Sequence, residues 1–327
     1  MRMRTLLVLV VCWITAVGCS LPKISLFPEA GPLQELTLEG TGDQKILVVT
    51  IHGVISDQPQ ERLLRSKPSM VQEIVAHLRQ AEQDPNIKAL LLKVNSPGGT
   101  VTASDILYHE IVAYKEKTGV KMVAAMMDLA ASGGYYVSLP ADWIMAHPTT
   151  LTGSVGVIFA RPRLVDLMDK IGAGVMVNKS GVYKDMGSPF RQTSEEEDAI
   201  FQELTDGLAD RFLQLATLHR KFEPAQREQI ASARIYLAPE AKAIGLVDEL
   251  GYLSDAIVKA KVMAGLPADA RVVTYRRETT ENDNIYNPNP SGKQDPGGLG
   301  AVFPVLAPLG FTLDPGFYYL WPEAFGG

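Results

Sequence analysis

Cysteine is almost missing from this chain: there are two, Cys12 and Cys19, both close to the first residue. The rest of the chain therefore has no disulfide framework, no cysteine nucleophile and no thiolate metal site. Histidine is nearly as scarce. The five, His52, His77, His109, His147 and His219, are scattered and form no HExxH pair, so metal catalysis has no support and no cofactor is expected. Positive charge is not in excess either. A net charge of -6 leaves no basic footprint and argues against nucleic acid as a partner. No internal repeat is visible, so one copy of the folding unit is expected.

Long apolar runs are also lacking. The longest candidate, Thr5 to Val17, follows two arginines and falls short of the roughly 20 residues that span a bilayer core. It ends in Ala16-Val17-Gly18-Cys19-Ser20, which reads as an export signal with a small-residue cleavage site. The cysteine after Gly18 resembles the bacterial lipobox, with Ala16 where leucine is usual. Either Cys19 is lipidated as the first mature residue, or the run is an uncleaved signal anchor; both place the folded part outside the cytoplasm. A Pro-rich spacer follows, so residues 1–19 are expected to be signal, 20–44 linker, 45–277 the folded domain and 278–327 a flexible tail.

Within 45–277, Lys45 to Ile51, Ile87 to Val94, Val120 to Met127 and Val175 to Asn178 are β-branched or apolar runs that read as buried strands. Helix-period stretches lie among them, at Met70 to Gln83, Ser104 to Lys117 and Leu164 to Ile171. This alternation predicts an α/β domain with a largely parallel sheet. A long helix is expected from about Ser194 to Lys221, opened by a capping box and striped by Ile200, Leu204, Leu208, Phe212 and Leu215, a face that suits a core or a subunit contact.

Four segments carry candidate chemistry. In Ala130-Ala131-Ser132-Gly133-Gly134-Tyr135, small residues turn the chain between a strand and a helix. Ser132 there is either a nucleophile, with the Gly133 amide facing a developing oxyanion, or merely a helix N-cap. Asn95-Ser96-Pro97-Gly98-Gly99 follows another strand, where Gly99 either supplies a second oxyanion amide or is only part of a turn. The polar loop around Tyr183-Lys184-Asp185 offers Lys184. An amine serves as a general base only if its pKa falls far below the reference of about 10.4 through burial, whereas the usual lysine is solvated. Asp185 beside it would not help, so its side chain is expected to point elsewhere. Finally, Thr152-Gly153-Ser154-Val155-Gly156 offers Ser154 to orient the amine, or a plain turn.

Together N-S-P-G-G, A-S-G-G-Y-Y, T-G-S-V-G and Y-K-D-x-G-S-P-F-R resemble the short form of the signal peptide peptidase A family, Ser/Lys peptidases of the crotonase and Clp-protease-like fold. The resemblance runs from about Lys45 to Gly251. It implies Ser132 as nucleophile, Lys184 as general base, Ser154 as the residue holding the lysine, and Gly99 and Gly133 as oxyanion donors. It also implies remnant signal peptides or other small apolar membrane-associated peptides as substrates, an apolar groove for an extended strand, and a ring-like homo-oligomer in the bacterial envelope. Ala233 stands before Arg234 where the family leads one to expect glycine. Rival readings are a crotonase-type acyl-CoA hydratase, which would need a carboxylate acid/base although this chain has no glutamate at either oxyanion segment, a non-catalytic lipoprotein scaffold, and a Ser-His-Asp site using His147. The apolar tail, including Phe317 to Trp321, resembles a substrate in composition and is expected either to occupy the groove, to be trimmed, or simply to pack on the surface.

Overall fold

The computed structural model describes residues 31–62, 65–277, 283–287 and 316–320; the signal-like start and Cys19 lie outside them. In chain order, β1 (Gln34–Glu39), β2 (Lys45–His52) and a hairpin of β3 (Gln60–Arg62) and β4 (Arg65–Lys67) lead to helix α1 (Met70–Ala81). Next come β5 (Ile87–Ser96), β6 (Gly98–Thr100), α2 (Val101–Thr118), β7 (Lys121–Ala131) and the short α3 (Gly133–Tyr136). The middle contains β8 (Trp143–Ala146), β9 (Leu151–Gly153), β10 (Ile158–Ala160), α4 (Val165–Ile171) and the long α5 (Glu195–Arg220). The chain continues with α6 (Pro224–Ala231), β11 (Ile235–Leu237), α7 (Ala238–Ala243), β12 (Glu249–Leu250), α8 (Leu253–Met263), β13 (Arg271–Arg276) and β14 (Gly316–Leu320).

The main sheet runs β1-β13-β2-β5-β7-β8-β12, and every neighbouring pair is parallel except β1 with β13. Parallel strands joined through helices have both faces covered, which is why β2 and β5 are apolar almost without interruption. Alternate residues divide between two cores. Leu47, Val49, Leu90 and Leu92 meet Ile74 of α1 and Leu107 of α2, while Ile46, Val48, Ala89 and Leu91 meet Ala256 and Ile257 of α8. Each buried leucine or valine of this kind contributes roughly 1.5–3 kcal/mol.

Three expectations change. Val175 to Asn178 is not a strand: Val175 and Val177 are half exposed, and Met176 is 98% exposed. An apolar run reports a need for cover without saying what supplies it. Part of the expected linker is β1, because Leu36 and Leu38 alternate with polar residues and the edge of β13 is available to pair with them. Part of the expected flexible tail is β14, which forms a second sheet in the order β10-β14-β6.

Candidate active site

Strand β7 is the longest among the described residues and forks near its end. Its first part lies between β5 and β8, while Leu129, Ala130 and Ala131 pair instead with Leu151, Thr152 and Gly153 of β9. Ser132 and Ser154 are the next residues on these two paired strands. Both have left-handed backbones, with φ of 53° and 52°, which a non-glycine residue adopts only at some cost. The Ser132 amide donates to the Gly153 carbonyl at 2.8 Å, and the Ser154 amide donates to the Arg234 carbonyl at 2.9 Å. The fork therefore sets the two hydroxyl-bearing residues beside each other.

Ser132 precedes α3, yet its side chain makes no capping bond. The residue is 1% exposed, and its Oγ has no hydrogen-bond partner among the described residues. A buried hydroxyl left unpaired costs about 1–3 kcal/mol, and an unfavourable backbone adds of order 1–3 kcal/mol. Both penalties fall on one residue at a strand-to-helix junction, which is where a chain keeps a group for a reaction rather than for stability.

Glycines surround it for steric reasons. A methyl group on Gly98, whose φ is 104°, would lie 1.9 Å from the Tyr319 carbonyl oxygen and 2.6 Å from the Gly133 amide nitrogen. One on Gly133 would lie 2.5 Å from Ser104 Oγ and 3.1 Å from the Gly99 amide nitrogen, and one on Gly99 would strike the Ile55 carbonyl at 1.8 Å. The backbones of Gly98, Gly99 and Gly133 thus converge within a space no side chain could share. Ser96 fixes this corner: its Oγ accepts from the Gly98 amide at 3.1 Å and donates to the Gly53 carbonyl at 2.7 Å. Asn95 ties it to β7 by accepting from the Leu129 amide at 3.1 Å. Sequence reading gave no role to Ser96 or Ser104, whose neighbours become visible only when β5 and β7 lie side by side.

Lys184 is elsewhere. It sits in an exposed run of turns ahead of α5, and a single chain does not bring its amine into hydrogen-bonding distance of Ser132. Asp185 is engaged as expected away from the amine, by Lys179 and Arg191 at 2.8 Å each. The Arg191 guanidinium, followed by Lys179, holds that carboxyl well below the usual carboxylate range. Arg191 also reaches Glu197, and Tyr183 donates to Glu196 at 2.5 Å, so the turns are pinned to the start of α5. His147 gives no base to Ser132: its ring bonds Thr149 Oγ1 at 2.8 Å and packs edge-on to Tyr252. Among the described residues no cluster of histidine, cysteine or carboxylate groups could hold a metal ion.

Beside the convergent glycines, β14 lies between β6 and β10, antiparallel to both. Tyr319 pairs with Gly99 and Leu320 with Gly98. The composition of the tail was a usable signal for this placement, but the register was not.

Residues 114–267 match the model of peptidase family S49, and residues 64–154 match that of Clp protease. A putative signal peptide peptidase SppA from Enterococcus faecium is 34% identical over 90% of this chain and 87% of its own length. The putative protease slr0021 from Synechocystis is 31% identical over 82% of this chain and 89% of its own. Protease 4 from Haemophilus influenzae is 32% identical over 74% of this chain, which spans 38% of that protein. Among solved structures, a ClpP1 mutant from Listeria monocytogenes aligns with a TM-score of 0.42 and 18% identity over 64% of this chain and 94% of that one. The identity shared with relatives along most of their length leads to one conclusion: the chain belongs to the signal peptide peptidase A family, peptidase family S49, and is a serine peptidase with an α/β fold built on a largely parallel sheet.

Proposed function

We propose that Ser132 and Lys184 form a Ser/Lys dyad, with Ser154 orienting the amine and the amides of Gly99 and Gly133 receiving the oxyanion. The observation that carries this reading is the buried, unpartnered hydroxyl of Ser132 among glycine backbones. Oγ attacks the peptide carbonyl carbon as its proton passes to Lys184 Nζ, and the negative oxygen settles on the two amides. Collapse of this adduct breaks the C–N bond, the ammonium returns its proton to the leaving amine, and an acyl-enzyme remains. Water, deprotonated by the same amine, then releases the acid.

Lysine must be uncharged to act in this way, and a solvated position does not favour the neutral form. The exposed side chains of Ile171, Val175, Met176, Val177, Val182 and Phe190 surround the Lys184 segment and suit cover by a second copy of the chain. A ring-like homo-oligomer in which a neighbouring subunit completes the site accounts for both. The substrates are extended, largely apolar peptides such as remnant signal peptides, met at the bacterial envelope. The membrane is reached through a lipid on Cys19 or a signal anchor, since among the described residues no helix is long and apolar enough to cross it. Purified Ser132→Ala and Lys184→Ala proteins are expected to lose peptide hydrolysis by at least about a thousandfold while keeping the circular dichroism of the parent. Hydrolysis persisting in either variant would remove that residue from the mechanism.

A further inference from the structure

Two hydroxyls beside the convergent glycines are buried without a hydrogen-bond partner among the described residues: Ser132 Oγ, to which the reaction is assigned, and Ser104 Oγ, to which nothing is. Ser104 lies in the first turn of α2, which Thr100 caps by accepting from the Ala103 amide at 3.2 Å. It has no exposed surface. A buried hydroxyl on a helix ordinarily finds the carbonyl one turn back. Thr118 of the same helix donates to the Tyr114 carbonyl at 2.7 Å, and Ser138 donates to the Gly134 carbonyl at 2.8 Å. Ser104 makes no such bond. Alanine would suit the helix better and would bury no unpaired group, so the hydroxyl is kept at a cost in stability.

What the oxygen touches accounts for the exception. The point where a Gly133 methyl group would stand has three nearest heavy atoms: Ser104 Oγ at 2.5 Å, Gly98 Cα at 3.0 Å and the Gly99 amide nitrogen at 3.1 Å. Two of these are backbone atoms of the glycine turn, and the third is the Ser104 oxygen. Ser104 Oγ therefore rests against Gly133 Cα, on the side where the backbones carrying both assigned oxyanion amides come together. Nothing among the described residues fixes the direction of its hydrogen. As negative charge develops on an oxygen held by the Gly99 and Gly133 amides, the O–H dipole is free to turn toward it. The site is closed to water, where such a dipole acts strongly.

From this geometry we infer that Ser104 is a positioning residue for peptide hydrolysis: its oxygen sets the position of Gly133, and its hydroxyl dipole backs the two amides that receive the oxyanion. The inference rests on the assignment of Ser132 as nucleophile and of those amides as donors. It carries a consequence that a packing role would not have. Removing the hydroxyl should slow the reaction while leaving the fold as stable as before or more so, because the group that is lost serves the transition state and burdens the ground state of the fold.

Kinetics and melting of the full-length protein provide the test, with a fluorogenic apolar substrate, acetyl-Leu-Leu-Leu-aminomethylcoumarin. Ser104→Ala is expected to lower kcat roughly tenfold, less than the about hundredfold or more that follows loss of a direct oxyanion donor, with KM changed by less than about twofold. It should melt no lower than the parent. Ser104→Thr keeps the hydroxyl but crowds a buried site, so it should melt lower than Ser104→Ala and yet keep kcat within about threefold of the parent. A serine that only packs gives the opposite order of kcat, with threonine the slower variant. Inhibition by acetyl-Leu-Leu-leucinal and by the matching alcohol, acetyl-Leu-Leu-leucinol, gives a second readout. Only the aldehyde forms a tetrahedral adduct with Ser132, so the ratio of the two affinities reports the oxyanion site, and Ser104→Ala should lower that ratio about tenfold without weakening the alcohol. An unchanged kcat, an unchanged affinity ratio or a clearly lower melting temperature in Ser104→Ala overturns the inference. The two assignments fail separately. A parent that binds aldehyde and alcohol equally would sink the oxyanion assignment and the role of Ser104 with it, whereas a parental preference that survives Ser104→Ala would remove Ser104 alone.

Discussion

Ala233 occupies the position where the family's glycine was expected, and its backbone has a φ of 55°. An L-residue pays about 1–2 kcal/mol there that glycine does not, partly offset by about 0.5–1 kcal/mol of extra chain entropy lost when glycine folds. The Ala233 methyl group faces Gly156, where an added methyl would come within 2.6 Å of it, so little packing is lost on truncation. Ala233→Gly should therefore raise unfolding stability by about 0.5–1 kcal/mol, measured by urea titration; a loss would mean that the methyl group packs better than its contacts indicate. Lys93 offers a second case. It is 4% exposed on β5 and donates to the carbonyls of Ile285 and Asn287 at 2.6 and 3.0 Å. Burial, helped by Arg276 and opposed by Asp283, brings its pKa from 10.5 down to about 8. Above pH 8 the folded chain releases this proton while the unfolded chain keeps it up to about 10.5, so Lys93 makes stability rise with pH across that window. Compared with the parent, Lys93→Met should flatten the rise between pH 8 and 10.5, and an unchanged slope would show that Lys93 does not titrate there.

Helix α5 shows how far local sequence governs an element. Ser194 accepts from the Glu197 amide while Glu197 returns a bond to the Ser194 amide, the capping box expected from the sequence. Glu197 also receives Arg191, so the helix start anchors the turns that carry Lys184. Ser194→Ala is expected to cost about 1 kcal/mol in thermal denaturation, and a cost near zero would mean that the Arg191 contact holds the helix start without the cap. The expected apolar stripe, in contrast, is buried only toward the far end: Phe212 is buried, whereas Leu204 is half exposed. The central strands β2, β5 and β7 and the turns after them were legible because a strand buried on both faces needs uninterrupted apolar residues and its sharp ends need small ones. That put Ser132 and Gly133 between the end of a strand and the start of a helix. Sequence could not show that Ser132 leaves its hydroxyl out of the cap, that Val175 to Asn178 has no partner strand among the described residues, or that β14 lies beside Gly98. Each of those depends on which distant surface meets the segment, and a local pattern encodes only the demand for cover.

For the whole molecule, the proposed Ser/Lys dyad is not assembled within one chain, since among the described residues Ser132 is buried without a partner and Lys184 is exposed. The apolar side chains around Lys184, with Met176 almost wholly bare, leave a surface that isolated soluble subunits rarely keep. If a neighbour supplies the amine, each site draws its serine from one chain and its lysine from the next. Ser132→Ala and Lys184→Ala chains, each inactive by itself, should then restore activity when coexpressed. With random placement in a closed cyclic assembly, a site is whole only when a Lys184→Ala chain supplies serine beside a Ser132→Ala chain supplying lysine, which happens at about one junction in four. Mixed assemblies should therefore show about a quarter of parental activity per subunit. Introducing Met176→Asp into both chains should reduce that recovery together with the apparent mass in light scattering, because the charge would be buried at the junction. No recovery in assemblies shown by mass spectrometry to contain both chains would place serine and lysine in the same subunit, and would require the turns carrying Lys184 to fold back onto Ser132 of their own chain.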